Sequence, residues 1–242
     1  MRNLVFSNND YLIKDGCFYF FLRWKDFPLS AFFSSRELDF RQEKNYEYLC
    51  QKLGIERKDL ILPEQRHSFH IEVIDFNWKK KKFVADALIT QKPNIALAVL
   101  TADCFPVFLY EPIKKVIGIV HAGWRGTKAE ILKKTIIKMQ ECFSINPGDL
   151  EIAFGPGIRE CCYEVKDDLR EYFFRHIQER EGKLFLNLKS ANFEQLQSSG
   201  TKRENIIDSE FCSLCQNRDF FSFRKEGENS GRTVSVIMLR NK

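Results

Sequence analysis

DALITQKPNIALAVLTADCFPVFLYEPIKKVIGIVHAGWRGT, residues 86–127, is the stretch on which the fold turns. It holds four apolar runs, over 86–90, 95–100, 106–110 and 116–121, each bounded by polar or turn-forming residues. A helical repeat follows at once: over 128–142, Ile131, Leu132, Thr135, Ile136, Met139 and Cys142 fall on one face. Strands in direct succession before one long helix break the strict alternation of a doubly wound sheet. The expectation is therefore an α/β (α+β) fold of mixed β-sheets with flanking helices.

Outward from that stretch, strands are predicted at 17–23, 30–34, 71–76, 150–154, 205–208, 219–223 and 233–239, and helices at 41–53 and 166–180. Pro147-Gly148 and Gly155-Pro156-Gly157 read as loops. Neither a Ser/Gly/Pro linker nor a long internal repeat divides the chain, so residues 1–242 are expected to form a single compact domain.

Composition narrows the function classes. With 44% hydrophobic and 29% charged residues, the chain is an ordinary globular protein. Its 23 Phe recur in strand-like runs such as Cys17-Phe18-Tyr19-Phe20-Phe21-Leu22, which makes them core rather than a base-stacking surface. The 38 basic and 33 acidic residues leave a net charge of +5, too mild and too evenly spread for a nucleic-acid partner. Lys79-Lys80-Lys81-Lys82 reads as a solvated loop. No run of about eighteen apolar residues is present to span a membrane, and the N-terminus lacks a signal-peptide pattern. The expected compartment is the cytoplasm, where the eight cysteines would be thiols or metal ligands.

Three segments carry candidate chemistry: Pro63-Glu64-Gln65-Arg66-His67-Ser68, Leu100-Thr101-Ala102-Asp103-Cys104-Phe105-Pro106 and Val120-His121-Ala122-Gly123-Trp124-Arg125-Gly126-Thr127. Cys104 and His121 each lie at a strand boundary, so neighbouring strands would bring them to one sheet edge. With His67 they make a thiolate and two imidazoles, a set that suits Zn²⁺ and leaves a fourth position open. The same residues fit a second chemistry, Cys104 as nucleophile and His121 as its base. A third reading is a structural zinc, with nearby His70 as a fourth ligand. Arg125, and Thr127 as N-cap of the following helix, favour an anion such as phosphate. Cys212-Ser213-Leu214-Cys215 and the adjacent Cys161-Cys162 read as unligated thiols, because a Cys₄ site normally draws on two CxxC-type arms.

Thr101-Ala102-Asp103-Cys104 with Pro106, His121-Ala122-Gly123-Trp124-Arg125-Gly126-Thr127, Gly155-Pro156 with Ile158, and Cys161-Cys162-Tyr163-Glu164-Val165 together resemble the YfiH/laccase-domain family. The match runs from about Phe33 to Leu239. Members have been called polyphenol oxidases and, later, purine nucleoside phosphorylases. The resemblance implies β-sheets sandwiched by helices and a single zinc ion on His67, Cys104 and His121. It implies a purine nucleoside and phosphate as small-molecule partners. The implied activities are phosphorolysis of adenosine, inosine, guanosine and methylthioadenosine, and deamination of adenosine. Arg36, Asn45, Gln65, Arg224 and Arg232 fall on motif positions that imply substrate or phosphate contacts. Some members are linked to quality control of cell-wall precursors, which keeps a Cys–His hydrolase of amides or such precursors as the alternative.

The chain departs from the pattern twice. After Arg36 it runs almost directly to Asp39-Phe40-Arg41 where the family carries a glycine-rich loop, and Arg159-Glu160 sets a charge pair near the expected mouth. The family's copper name fails on composition. Four histidines, His67, His70, His121 and His176, with no His-x-His pair, are too few for a blue-copper site plus a trinuclear cluster.

Overall fold

Two twisted sheets pack face to face, and each carries helices on its outer side. The computed structural model describes residues 5–6, 11–74 and 83–241. The first sheet has seven strands in the order β1 (Val5–Phe6), β2 (Leu12–Asp15), β3 (Phe18–Phe21), β4 (Leu29–Ser34), β16 (Thr233–Leu239), β8 (Ala96–Thr101) and β5 (Leu60–Ile61). The second has six, in the order β15 (Ile206–Asp208), β11 (Glu151–Phe154), β9 (Phe105–Glu111), β10 (Val116–Ala122), β7 (Ala87–Thr90) and β6 (Ile71–Val73). A small third sheet joins β12 (Glu164–Val165), β14 (Lys183–Leu186) and β13 (Ile177–Arg180). Pairing is antiparallel except for β5 with β8, β6 with β7, and β11 with β15. The expected mixed sheets with flanking helices are present.

The period-two alternation of the strands explains the layering. On β8, Leu97 and Val99 face the space between the sheets, while Ala96 and Ala98 face outward. On β9, Phe108 and Tyr110 point to the same inner layer, and Val107 and Leu109 point away. Both faces of these strands are covered, so their sequences read as unbroken apolar runs. Outward, Tyr46, Leu49, Cys50 and Leu53 of helix α1 (Lys44–Leu53) cover the first sheet. Ile131, Leu132, Ile136 and Met139 of α3 (Ile131–Phe143), with Leu188 and Leu196 of α5 (Leu188–Ser198), cover the second. The phenylalanines serve the core: Phe33 packs on Tyr19, and Phe108 meets Phe21 edge-on at 5.0 Å.

Several expectations need correction. The helix predicted at 128–142 is two helices, α2 (Trp124–Lys128) and α3, broken where Glu130 adopts a φ of 59°. Cys142 is exposed and lies off the buried stripe. Thr127 is no N-cap; it lies inside α2, and its hydroxyl donates to the Gly123 carbonyl. The stretch 166–180 holds only α4 (Arg170–Phe173) between short 3₁₀ turns, and it ends as strand β13. Residues 219–222 are a loop, with Phe220, Phe221 and Ser222 buried, that leads into α6 (Phe223–Glu226). Phe220 and Phe221 mimic a strand because they fill core space from irregular backbone. Helix α5 had no prediction; its apolar residues form no clear stripe. The end of the predicted strand 71–76 and Lys79–Lys82 lie outside the described residues. Among the described residues, no helix is long and apolar enough to cross a membrane.

Candidate metal centre and cleft

Two loops and a strand end bring the sequence-predicted ligands together at one end of the second sheet. His67 lies between β5 and β6, Cys104 in the turn from β8 to β9, and His121 near the end of β10, directly across from Pro106 of β9. Antiparallel pairing of β9 and β10 thus sets Cys104 beside His121. The donor atoms of His67, Cys104 and His121 all lie within 4.8 Å of one another. The two imidazoles meet at 73° with ring centroids 4.8 Å apart. His70 stands outside this group. Gly123 leaves the space the group needs: a Cβ there would sit 2.7 Å from the Cys104 sulfur and 3.3 Å from the His67 ring.

A residue that sequence reasoning missed organises the site. Asp86, at the start of β7, is fully buried. One carboxylate oxygen accepts from the His67 backbone N–H at 3.1 Å and from His121 Nδ1 at 2.7 Å. The other accepts from the backbone N–H groups of Arg66 and Ser68, at 3.2 and 2.7 Å, and from the Ser68 hydroxyl at 2.7 Å. Burial disfavours the charge, but the hydrogen bonds from His121 and Ser68 outweigh it and hold the carboxyl far below the usual carboxylate range. The ionised carboxylate fixes a proton on His121 Nδ1 and leaves Nε2 to face the group, the arrangement usual for metal-binding imidazoles. The available signal was an acidic residue opening an otherwise apolar strand.

Backbone strain sits beside two of the ligands. His67 has a φ of 54° and Asp103 a φ of 88°, conformations that cost a non-glycine residue of order 1 kcal/mol or more. Asp86 anchors the first. Asp103 is held by Ser213 Oγ and the Arg224 N–H on its carboxylate, at 2.7 and 2.6 Å, and by the Ile158 N–H on its carbonyl, at 2.7 Å.

The electrostatics favour an ionised thiol. Burial alone would raise the Cys104 pKa, but the positive charge and hydrogen bond of His121, joined by His67, bring it down to about 6. Burial opposes the charge on His121 as well, yet the Cys104 thiolate and Asp86 lift it to about 9. One soft sulfur and two imidazoles, with one imidazole oriented by a carboxylate, form a group that could hold a metal ion.

The group opens into a cleft of about 590 Å³ lined in part by Gln65, Asp103, Trp124, Arg125, Tyr163, Phe223, Arg224 and Arg232. The Gln65 amide is spent on the Leu100 backbone, donating to its carbonyl and accepting from its N–H at 2.8 Å each. Arg125 lies over the Trp124 ring at 4.3 Å, and Arg224 over the Tyr163 ring at 5.4 Å. Among the described residues, Arg125, Arg224 and Arg232 form no ion pair with a carboxylate. Arg36 and Asn45 do not line the cleft. Arg36 pairs with Glu226 at 2.7 Å and stacks on Phe221, while Asn45 donates to the Asp39 carbonyl at 2.7 Å. The Arg159-Glu160 charge pair is likewise absent from the lining, because Arg159 turns inward to pair with Asp208.

With this arrangement in view, comparison with known proteins is specific. The family model described as multi-copper polyphenol oxidoreductase laccase matches residues 33–240. The chain belongs to this family. A purine nucleoside phosphorylase of Clostridium acetobutylicum is 35% identical over 237 residues, 92% of this chain and 97% of the relative. An adenosine deaminase from an unknown prokaryotic organism is 34% identical over 207 residues, 78% of each protein. The crystal structure of the hypothetical protein YfiH from Bacillus licheniformis superposes with a TM-score of 0.84 at 25% identity, covering 93% of this chain and 97% of that one.

Proposed function

We propose that the chain is a zinc-dependent enzyme of purine nucleosides, carrying out phosphorolysis of adenosine, inosine, guanosine or methylthioadenosine and deamination of adenosine. The observation that carries this reading is the His67–Cys104–His121 group in the lining of a cleft whose Arg125, Arg224 and Arg232 guanidinium groups form no ion pair with a carboxylate among the described residues. The names of the two relatives supply the substrate class.

Each residue has a role in this reading. His67, Cys104 and His121 hold the ion, and Asp86 keeps the His121 proton on Nδ1. When bound there, zinc supplies Lewis acidity. Trp124, Tyr163 and Phe223 offer flat apolar faces to a purine. Arg125, Arg224 and Arg232 orient phosphate for attack at the ribose C1′, with the base as leaving group. In deamination, water displaces the purine amino group, which leaves as ammonia, and the arginines have no phosphate to hold. Metal-replete protein given inosine and phosphate should release hypoxanthine and ribose-1-phosphate, and His121→Ala should not. No release from wild type, or equal rates for the two proteins, would remove the proposal.

A second reading rests on one specific observation: Cys104 lies within 4.8 Å of His121, whose Nδ1 is bonded in turn to Asp86, an order that suits a thiol hydrolase. There the Cys104 sulfur would attack an amide carbonyl, His121 would protonate the departing amine, and water would release the acid. A covalent adduct on Cys104 in chelated, active protein would favour it. Activity abolished by chelator and restored by zinc would exclude it.

A further inference from the structure

The cysteines that looked unconnected in the sequence are brought together by the fold. Sγ atoms of Cys161, Cys162, Cys212 and Cys215 all lie within 4.8 Å of one another. Cys215 is 3.5 Å from Cys161 and 3.2 Å from Cys162, well beyond the roughly 2.05 Å of a disulfide. A tetrahedral zinc with Zn–S bonds of about 2.3 Å has sulfur–sulfur edges of roughly 3.8 Å. The sulfur separations, none above 4.8 Å, leave room for such an ion between them, and among the described residues no histidine or carboxylate belongs to the group.

Adjacent cysteines rarely ligate one ion because on a strand their side chains leave on opposite faces. Here the backbone is a turn. The N–H groups of Cys162 and Tyr163 both donate to the Arg159 carbonyl, at 2.9 and 2.8 Å, so the two side chains leave the same side of a tight loop. The opposite arm is a turn as well. The Gln216 N–H donates to the Cys212 carbonyl at 2.9 Å, and the Gln216 side chain accepts from the Cys212 N–H at 2.8 Å. The two arms are stitched at their base, where Gly157 and Cys212 form a parallel bridge.

We propose that Cys161, Cys162, Cys212 and Cys215 bind a second metal ion, a tetrathiolate zinc with a structural role, separate from the His67–Cys104–His121 group. None of the four lines the cleft, and all four coordination positions are filled by protein, as a structural site requires. Its place in the fold gives it a task. The two arms it clamps carry Ile158 and Ser213, which hold Asp103 next to Cys104, and Tyr163 of the cleft wall. The ion braces the back of the loop that presents Cys104.

The site is tested by zinc stoichiometry and X-ray absorption on protein purified under reducing conditions with zinc. Wild type should hold two zinc ions per chain and His121→Ala one, with four sulfur neighbours at about 2.3 Å around the remaining ion. Cys212→Ser/Cys215→Ser should lose the all-sulfur ion and keep one with mixed nitrogen and sulfur neighbours. If that variant does not fold, His121→Ala still decides. A zinc-free His121→Ala, a retained ion with nitrogen or oxygen neighbours, or a Cys–Cys215 disulfide in reduced, zinc-replete wild type overturns the proposal. Loss of nucleoside chemistry with the all-sulfur zinc intact would fall on the proposed function alone.

Discussion

Replacing Asp86 with asparagine tests the architecture of the centre at its anchor. The two carboxylate oxygens accept five hydrogen bonds, two on Oδ1 and three on Oδ2. Asparagine can keep one oxygen toward His67 and His121, but its amide must then face the backbone N–H groups of Arg66 and Ser68. Two donors lose their acceptor, each at about 1–2 kcal/mol in this partly buried loop, and the bond to His121 loses its charge. The sum is about 3 kcal/mol, in line with removal of one partner of a buried pair. For a chain of 242 residues that lowers Tm by roughly 6–12 °C. Zinc affinity should fall about 10–100-fold, since His121 loses its orienting partner. Thermal melts in chelator and competitive zinc titration read the two effects separately. The wild-type advantage has a fixed sign with pH. A carboxyl whose folded pKa is depressed contributes fully above its unfolded value of about 3.9 and loses the contribution as pH falls below it. The gap between wild type and Asp86→Asn should therefore narrow below pH of about 4. Unchanged Tm and zinc affinity in the variant would refute the anchoring role.

Other predictions follow from single contacts. Gly123→Ala places a Cβ 2.7 Å from the Cys104 sulfur, so zinc content should drop sharply while the chelated protein loses only about 1–3 kcal/mol in denaturant titration. In metal-free protein, Cys104 alkylation should rise with pH to half-maximum at about 6 and decline steadily below it, because the lowered pKa keeps the thiolate above that value. His121→Ala should return the thiol toward about 8.5 and slow alkylation at pH 7 by roughly 30-fold; an unmoved profile would show that His121 does not set the thiolate. Arg125→Ala should raise the KM for phosphate about tenfold and leave adenosine deamination nearly unchanged, and equal losses in both would argue against a phosphate role. Phe108→Ala, between the two sheets, should cost about 3–5 kcal/mol in urea unfolding without changing zinc stoichiometry.

What the sequence determined by itself was whatever local periodicity and donor chemistry carry. Unbroken apolar runs over 86–121 marked strands of both covered sheets, and the stripe of Ile131, Leu132, Ile136 and Met139 marked the helix that covers the second. The mixed nitrogen and sulfur character of His67, Cys104 and His121 was legible as a candidate set because those residue types interrupt apolar strands at their ends. Tertiary structure decided the rest, since it depends on which distant segments meet. Asp86 looked like the polar start of a strand until pairing of β7 with β10 set it under His121. Arg36 and Asn45, both on motif positions, turned to Glu226 and the Asp39 carbonyl rather than to the cleft. Phe220 and Phe221 copied a strand pattern from a buried loop, because burial rather than extended backbone placed them there. Cys161 and Cys162 are about fifty residues from Cys212 and Cys215, and no local pattern records that two turns, stitched at Gly157 and Cys212, converge. Local chemistry can nominate ligands, but only chain packing closes the distances on which coordination depends.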